Sequence, residues 1–284
     1  EAAGRLIREY KVSERRACEL VEQHRSTNRY VATAADFEEK LVARMTALAE
    51  QHPRWGYRMI KNLLVEEGWQ VNVKRVHRLW RQEGLQVPPQ RLKSSGQKAI
   101  GDASFSAANL PALYRNHVWS YDFMSARTVD GGALRILNVL DEHTREAHES
   151  KVGRSIGSES VRVHLEKLFA KNGRPKYLRA DNGREFIGAD LQQWLTDHSV
   201  TPIFIEKASP TQNCYIERFN GSMRRELLNG EMFHSVLEAK VVINQWLELY
   251  NTRRPHRGLG GKTPSAYAKM CRSDLDDDTS GGGR

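Results

Sequence analysis

Cysteine is scarce. Cys18, Cys214 and Cys271 are widely spaced, form no CxxC pair and supply no obvious zinc set. That reads as a reducing cytosol, with three small buried side chains. Long apolar runs are also missing. None approaches the roughly 20 residues a membrane span needs, so no membrane role is expected. No signal peptide is visible, and the chain begins at Glu1 rather than Met, so upstream sequence is expected to have been removed. Residues 271–284 are acidic and Gly-rich and read as a disordered tail outside the fold.

What is present is positive charge. The 284 residues carry a net charge of +9, with 39% hydrophobic and 28% charged residues, the balance of a globular protein. Residues 1–100 hold 19 of the 44 basic residues against 12 of the 35 acidic ones, so most of the excess sits in the first third. A polyanion bound by that part is the natural partner. A solubilising surface is the plainer alternative.

Residues 1–32 read as a small helical unit. Leu6, Ile7 and Tyr10 share one face, Ser13 is a cap, and Ala17, Leu20 and Val21 continue an apolar face. Arg25 and Arg29 flank polar groups suited to phosphate or base contacts, as in a helix-turn-helix. A plain helical hairpin would look the same.

Residues 36–85 form a second helical module. A helix over 36–50 turns Phe37, Leu41, Met45 and Leu48 inward, and Pro53 ends it. Arg58 opens a helix over 59–68. Asn72 caps a third over 73–83, with Val76, Leu79 and Trp80 inward. Lys74, Arg75, His77, Arg78 and Arg81 face outward on that last helix, a recognition-helix pattern or a solvated face. Residues 86–112 lack periodicity and form a basic linker, in which Lys93 is placed along a phosphate backbone.

From residue 113 the period changes. Strands are predicted over 118–124, 133–140, 146–152, 177–180 and 200–205. Helices are predicted over 158–172, 189–198, 211–228 and 236–250. Three hairpin-linked strands followed by alternating units give a mixed sheet with helices on both faces.

Three carboxylates stand out on this frame. Asp122 is a charge in mid-strand among aromatics, which needs a metal or a salt bridge to offset burial. Asp181 ends a strand expected beside the first, at an Asp-Asn-Gly turn. Glu217, separated from Asp181 by 35 residues, lies on a later helix with Asn213, Asn220 and Arg224 on the same face. A solvated Glu is the plainer reading of Glu217 alone; the three together suit two Mg²⁺ ions, or Mn²⁺ in their place, across a scissile phosphate. Asp141 reads as structural or supporting. Asp130, Asp190, Asp197 and Glu226 read as loop or helix-surface residues.

Val118-Trp119-Ser120-Tyr121-Asp122, residues 179–186 and residues 210–221 resemble the integrase-like core of bacterial insertion-sequence transposases. The likeness is to the two-reading-frame family, whose second frame encodes the catalytic part. Residues 250–260 with Thr263-Pro264 resemble its tail, which brings in Arg254 and His256 as DNA contacts. Trp55-Gly56-Tyr57-Arg58 and residues 72–76 resemble its helix-turn-helix module.

The resemblance covers roughly residues 10–270. It implies an α/β, RNase-H-like mixed five-stranded sheet with flanking helices over 113–270, preceded by small all-α helix-turn-helix domains. Asp122, Asp181 and Glu217 are then the catalytic, metal-binding DDE triad, acting on the element's terminal inverted repeats and on target DNA. The implied assembly is a homo-oligomer, at least a dimer, in a synaptic complex in the bacterial cytoplasm and nucleoid. The upstream sequence would carry the first frame's helix-turn-helix and coiled coil. Cys214 and Arg218 depart from the family's usual small residue and Ser, and the loop at 206–209 is less Gly-rich; none removes a ligand. The alternatives are a catalytically inactive DNA-binding relic or regulator of transposition, and a retroviral-type integrase or nuclease. The retroviral type is disfavoured by the lack of a His-His-Cys-Cys module before the core.

Overall fold

The computed structural model describes residues 2–29, 35–85, 87, 110–181, 183, 185–186, 188–205 and 213–271. Lys93 and most of the linker lie outside the described residues.

In the first strand the aromatics Trp119, Tyr121 and Phe123 alternate with Ser120, Asp122 and Met124, and the second is rich in Leu, Ile and Val. β1 (Val118–Arg127) pairs antiparallel with β2 (Ala133–Asp141), and β2 pairs antiparallel with β3 (Lys151–Gly153). On its other side β1 runs parallel to β4 (Tyr177–Ala180), and β4 runs parallel to β5 (Thr201–Phe204). The sheet is five-stranded and mixed, in the order β3-β2-β1-β4-β5. Pro202 sits in β5 at the sheet edge, where a missing N–H breaks no interior ladder.

The two-residue period of β1 sorts its side chains to two faces. Trp119, Tyr121 and Phe123 join Leu137, Val139 and Leu178 against α7 (Ser158–Asn172) and α8 (Ala189–Asp197). Met124, Ile136 and Leu140 pack the other face, against α9 (Cys214–Met223) and α10 (Val236–Thr252). Asp122 belongs to this second face, directly opposite Asn138 on β2.

Three elements differ from the sequence reading. The strand expected over 146–152 narrows to Lys151–Gly153, with only a lone bridge between Leu140 and Ala147 before it. Around that bridge Glu146 and His148 still bond to β2, while on the edge facing away from β2 the Asn251 side chain accepts from the Ala147 N–H at 2.9 Å and donates to its carbonyl at 2.7 Å. The helix expected over 211–228 is α-helical only to Met223, then widens into a π turn, Arg224–Leu228. A short helix α11 (Pro264–Ala268), with Pro264 at its first position and the Thr263 side chain as cap, follows without having been foreseen.

The N-terminal part is helical throughout. α1 (Ala2–Tyr10), α2 (Glu14–Leu20) and α3 (Arg25–Asn28) bury only Ala3, Ala17 and Cys18 fully. Tyr10 and Leu20, expected inside, are 69% and 55% exposed, because so small a unit has little interior to offer.

The next three helices have a true core. α4 (Ala35–Gln51), α5 (Tyr57–Glu66) and α6 (Val73–Gln82) bury Leu41, Met45, Ile60, Leu64, Val76 and Trp80 together. Phe37, expected inside, is 36% exposed and meets Trp69 edge-on at the rim. Leu249 of α10 packs against this cluster, so the module docks on the C-terminal helix of the sheet unit.

Candidate active site

The strand geometry brings Asp122 and Asp181 together. β1 and β4 are parallel neighbours, with Ser120 opposite Arg179. Asp122 lies two residues beyond the end of that pairing, and so does Asp181. Phe123 donates its backbone N–H to Asp122 Oδ1 at 2.7 Å, and the Gly183 N–H donates to Asp181 Oδ1 at 3.0 Å. A Cβ at Gly183 would stand 2.9 Å from that same Oδ1, so the turn after β4 needs glycine for the carboxylate to fold back on it.

Glu217 is exposed on the first turns of α9. Burial chiefly, with Asp181 and Glu217 adding like charge, pushes the Asp122 carboxyl up to about 6, against hydrogen bonds that pull it down. Glu217 has the smallest of these influences. Its own carboxyl is raised by partial burial.

Among the described residues, no three His, Cys, Asp or Glu side chains stand close enough to enclose a metal ion. The donor set nevertheless fits a hard divalent cation. It consists of carboxylate oxygens alone, and their mutual repulsion is relieved by positive charge.

The face of α9 expected to touch DNA does something else in part. Asn220 is buried, and both ends of its amide are engaged. It donates Nδ2 to Asp122 Oδ2 at 2.8 Å and accepts from Asn138 Nδ2 at 2.8 Å. Asn138, fully buried, accepts in turn from the Ser150 hydroxyl at 2.6 Å. Asn213 is also buried, at the N-cap of α9. Arg224 alone of the three flanking residues is exposed, with a guanidinium nitrogen 3.4 Å from the Ser125 carbonyl.

Asn138 was missed in the sequence. Its signal was there: a lone amide in the apolar run Ile136-Leu137-Asn138-Val139-Leu140.

The tail residues also turn inward. Arg254 is half-buried in a forked pair with Glu226, Nη2 to Oε1 at 2.7 Å and Nε to both oxygens at 3.0 Å. Arg254 is therefore no surface DNA contact as placed, and Glu226, 8% exposed, is no surface carboxylate. His256 packs edge-on against the Tyr250 ring, and burial pushes its pKa down to about 3.

Asp141 is structural. Its buried carboxylate accepts the backbone N–H groups of Asn116, His143 and Thr144 at 2.7, 2.9 and 2.8 Å. Next to it the buried Glu142 pairs with Arg179 at 3.5 Å.

The basic candidates on the helical parts divide by pairing. Arg25 and Arg29 both contact Glu14, at 3.7 and 2.5 Å. Arg75 and Arg78 share Glu38. Arg58, Lys74 and Arg81 are exposed, and Lys74 and Arg81 lie on the outward side of α6 with His77.

Comparison with known proteins bears on all of this. The integrase core domain family matches residues 114–210 and, in a second form, residues 198–264. An HTH-like domain matches residues 36–93. A 31.7 kDa protein of insertion element IS407 from Burkholderia multivorans is 37% identical over 265 residues, covering 93% of this chain and 94% of that one. A 39.2 kDa protein of insertion element IS476 from Xanthomonas euvesicatoria is 34% identical, over 96% of this chain and 77% of that one. The transposase for insertion sequence element IS904 of Lactococcus lactis is 28% identical, over 81% and 94%. Among solved structures, the HTLV-2 integrase catalytic core domain overlays with a TM-score of 0.45 at 19% identity, over 55% of this chain and 99% of that one.

Proposed function

Because the chain belongs to the integrase-core transposases of insertion sequences, we propose that it cuts DNA at the ends of such an element and joins the freed 3′-hydroxyls to target DNA. Asp122, Asp181 and Glu217 are its metal-binding carboxylates. The observation that carries this reading is the parallel register of β1 and β4, in which Asp122 and Asp181 each stand two residues beyond the paired Ser120 and Arg179. A carboxyl pushed up by burial and by neighbouring carboxylates suits a cation.

A pair of divalent ions, Mg²⁺ or Mn²⁺, would activate the attacking oxygen and stabilise the leaving one. The chain's own residues position everything else. Asp122 supplies oxygens from the middle of β1, Asp181 from just beyond the end of the adjacent β4, and Glu217 from α9. Arg224 stands exposed at the end of α9, suited to the DNA backbone near the cut. The outward side of α6, with Lys74, His77 and Arg81, suits duplex DNA at the element ends. Arg58, Arg25 and Arg29 add positive charge on the same helical part. Joining two ends requires at least two copies of the chain held together on DNA.

A strand-transfer assay with pre-cleaved ends and Mg²⁺ tests the assignment. Glu217→Gln is expected to abolish product while leaving duplex binding intact. Undiminished product from that variant would overturn the site. Product from the wild-type chain also separates this reading from an inactive relic or regulator.

A further inference from the structure

We propose that Asn220, aligned by Asn138 and Ser150, is a positioning residue that holds Asp122 in one orientation and sets the register of the helix carrying Glu217. The proposal rests on the reading of Asp122, Asp181 and Glu217 as the metal-binding set.

The three bonds form one directed chain. An ionised carboxylate only accepts, so Asn220 must present its amide nitrogen to Asp122. Its amide oxygen is then turned away and needs a donor, which the Asn138 nitrogen supplies. That leaves the Asn138 oxygen to accept, and the Ser150 hydroxyl donates to it. One charge at one end thus fixes the sense of both amides.

The surroundings offer only a weak substitute among the described residues, the Met223 sulfur 3.7 Å from the Asn138 amide nitrogen. Asn138 and Ser150 are 0% and 1% exposed and Asn220 is 8% exposed. The same face is otherwise lined by Met124, Ile136, Leu140, Ile216, Phe219 and Met223. A broken link would leave a buried amide unpaired, so the intact chain is strongly favoured.

The chain also crosses elements. Asp122 and Asn138 lie opposite each other on β1 and β2, and Asn220 reaches both from α9. A slip of α9 by one residue would rotate Asn220 by about 100° and break both bonds. Glu217 is one turn earlier on the same helix, so fixing Asn220 fixes Glu217 relative to Asp122.

The test uses the full chain with Asn220→Ala, Asn138→Ala, Ser150→Ala and the double variant Asn138→Ala/Asn220→Ala. Mn²⁺ binding to the DNA-free protein is measured by titration calorimetry. Strand-transfer kcat and KM for DNA are measured alongside, and circular dichroism reports folding. Asn220→Ala is expected to weaken Mn²⁺ binding by about 10- to 100-fold, the range for partners of metal ligands. Asn138→Ala and Ser150→Ala should weaken it progressively less. The KM for DNA should hold while kcat falls, and the double variant should be no worse than Asn220→Ala alone.

A merely structural role would lower the melting temperature and leave Mn²⁺ affinity of the folded protein unchanged, which would overturn the proposal. Multiplying effects of Asn138→Ala and Asn220→Ala would overturn it as well. Ser150→Ala, at the far end of the chain, keeps the test open if an amide variant fails to fold. Glu217→Gln separates the two readings. If it loses Mn²⁺ while Asn220→Ala does not, the positioning role fails and the site stands. If neither responds, the site fails and takes the positioning role with it.

Discussion

Trp55 and Glu226 are joined across the junction between the helical module and the sheet unit. The indole N–H donates to Glu226 Oε2 at 3.3 Å over a sequence separation of 171 residues. Glu226 stands on the π turn that continues the Glu217 helix, and Arg254 at the end of α10 forks onto the same carboxylate. His52 stacks on the other face of the contact, 3.9 Å from the Trp55 ring. The module proposed to grip DNA therefore touches the helix that bears a proposed ligand.

This node should be stiff. Arg254→Met leaves the Glu226 carboxylate buried without its cation and is expected to cost about 3–5 kcal/mol. Trp55→Phe removes the hydrogen bond and part of a buried ring, and should cost more than the about 1 kcal/mol of the bond alone. Urea unfolding measures both. A loss below about 1 kcal/mol for Arg254→Met would show that the pair carries little.

The pair of Glu142 and Arg179 should give stability a pH slope. Burial pushes the Glu142 carboxyl up to about 7, against the pull of Arg179 and Arg145. Its folded value lies above its unfolded one, so the favourable contribution is full at pH below the unfolded range and is lost as pH rises through about 7. Glu142→Gln should flatten the urea midpoint between about pH 5 and 8. Arg179→Met should steepen the decline, because the carboxyl then rises further. Parallel pH profiles for wild type and Glu142→Gln would contradict the assignment.

Gly183→Ala should uncouple activity from stability. The added Cβ meets the far end of the Asp181 side chain at 2.9 Å, so the carboxylate moves rather than the backbone. Displacing a reacting group by about 1 Å can cost roughly 100-fold in rate. Turnover should fall by at least about tenfold on that basis, with little change in melting temperature. Normal turnover would mean that the Asp181 position tolerates the shift.

Lys74→Ala and Arg81→Ala should weaken binding to any duplex alike. Each should reduce the slope of log affinity against log salt by about 1. Arg75→Ala and Arg78→Ala should do less, since Glu38 already takes both guanidinium groups. Fluorescence anisotropy over a salt series reads the slopes. Equal slopes for all four variants and wild type would move the DNA surface off α6.

Periodicity, turn residues and caps were enough to locate most elements. The helix over 158–172 and the strand over 177–180 were read to the residue, because Gly173 closes the one and an Asp-Asn-Gly turn ends the other. Asp122 beside the end of β4 followed from the strand pattern. These are local properties, encoded within a few residues of where they act.

Only the tertiary structure decided what the polar side chains near them do. Asn220 was read as a DNA contact from its place on a polar helix face, but its partner Asp122 is 98 residues away. Glu226 was read as a surface residue, but Arg254 and Trp55 enclose it from 28 and 171 residues off. The outer edge of the segment before β3 is bonded by one side chain, Asn251, 104 residues distant. A polar group states in the sequence only that it needs a partner. Which partner it finds, and so whether it faces DNA or the interior, is fixed by the packing of elements that are remote in sequence.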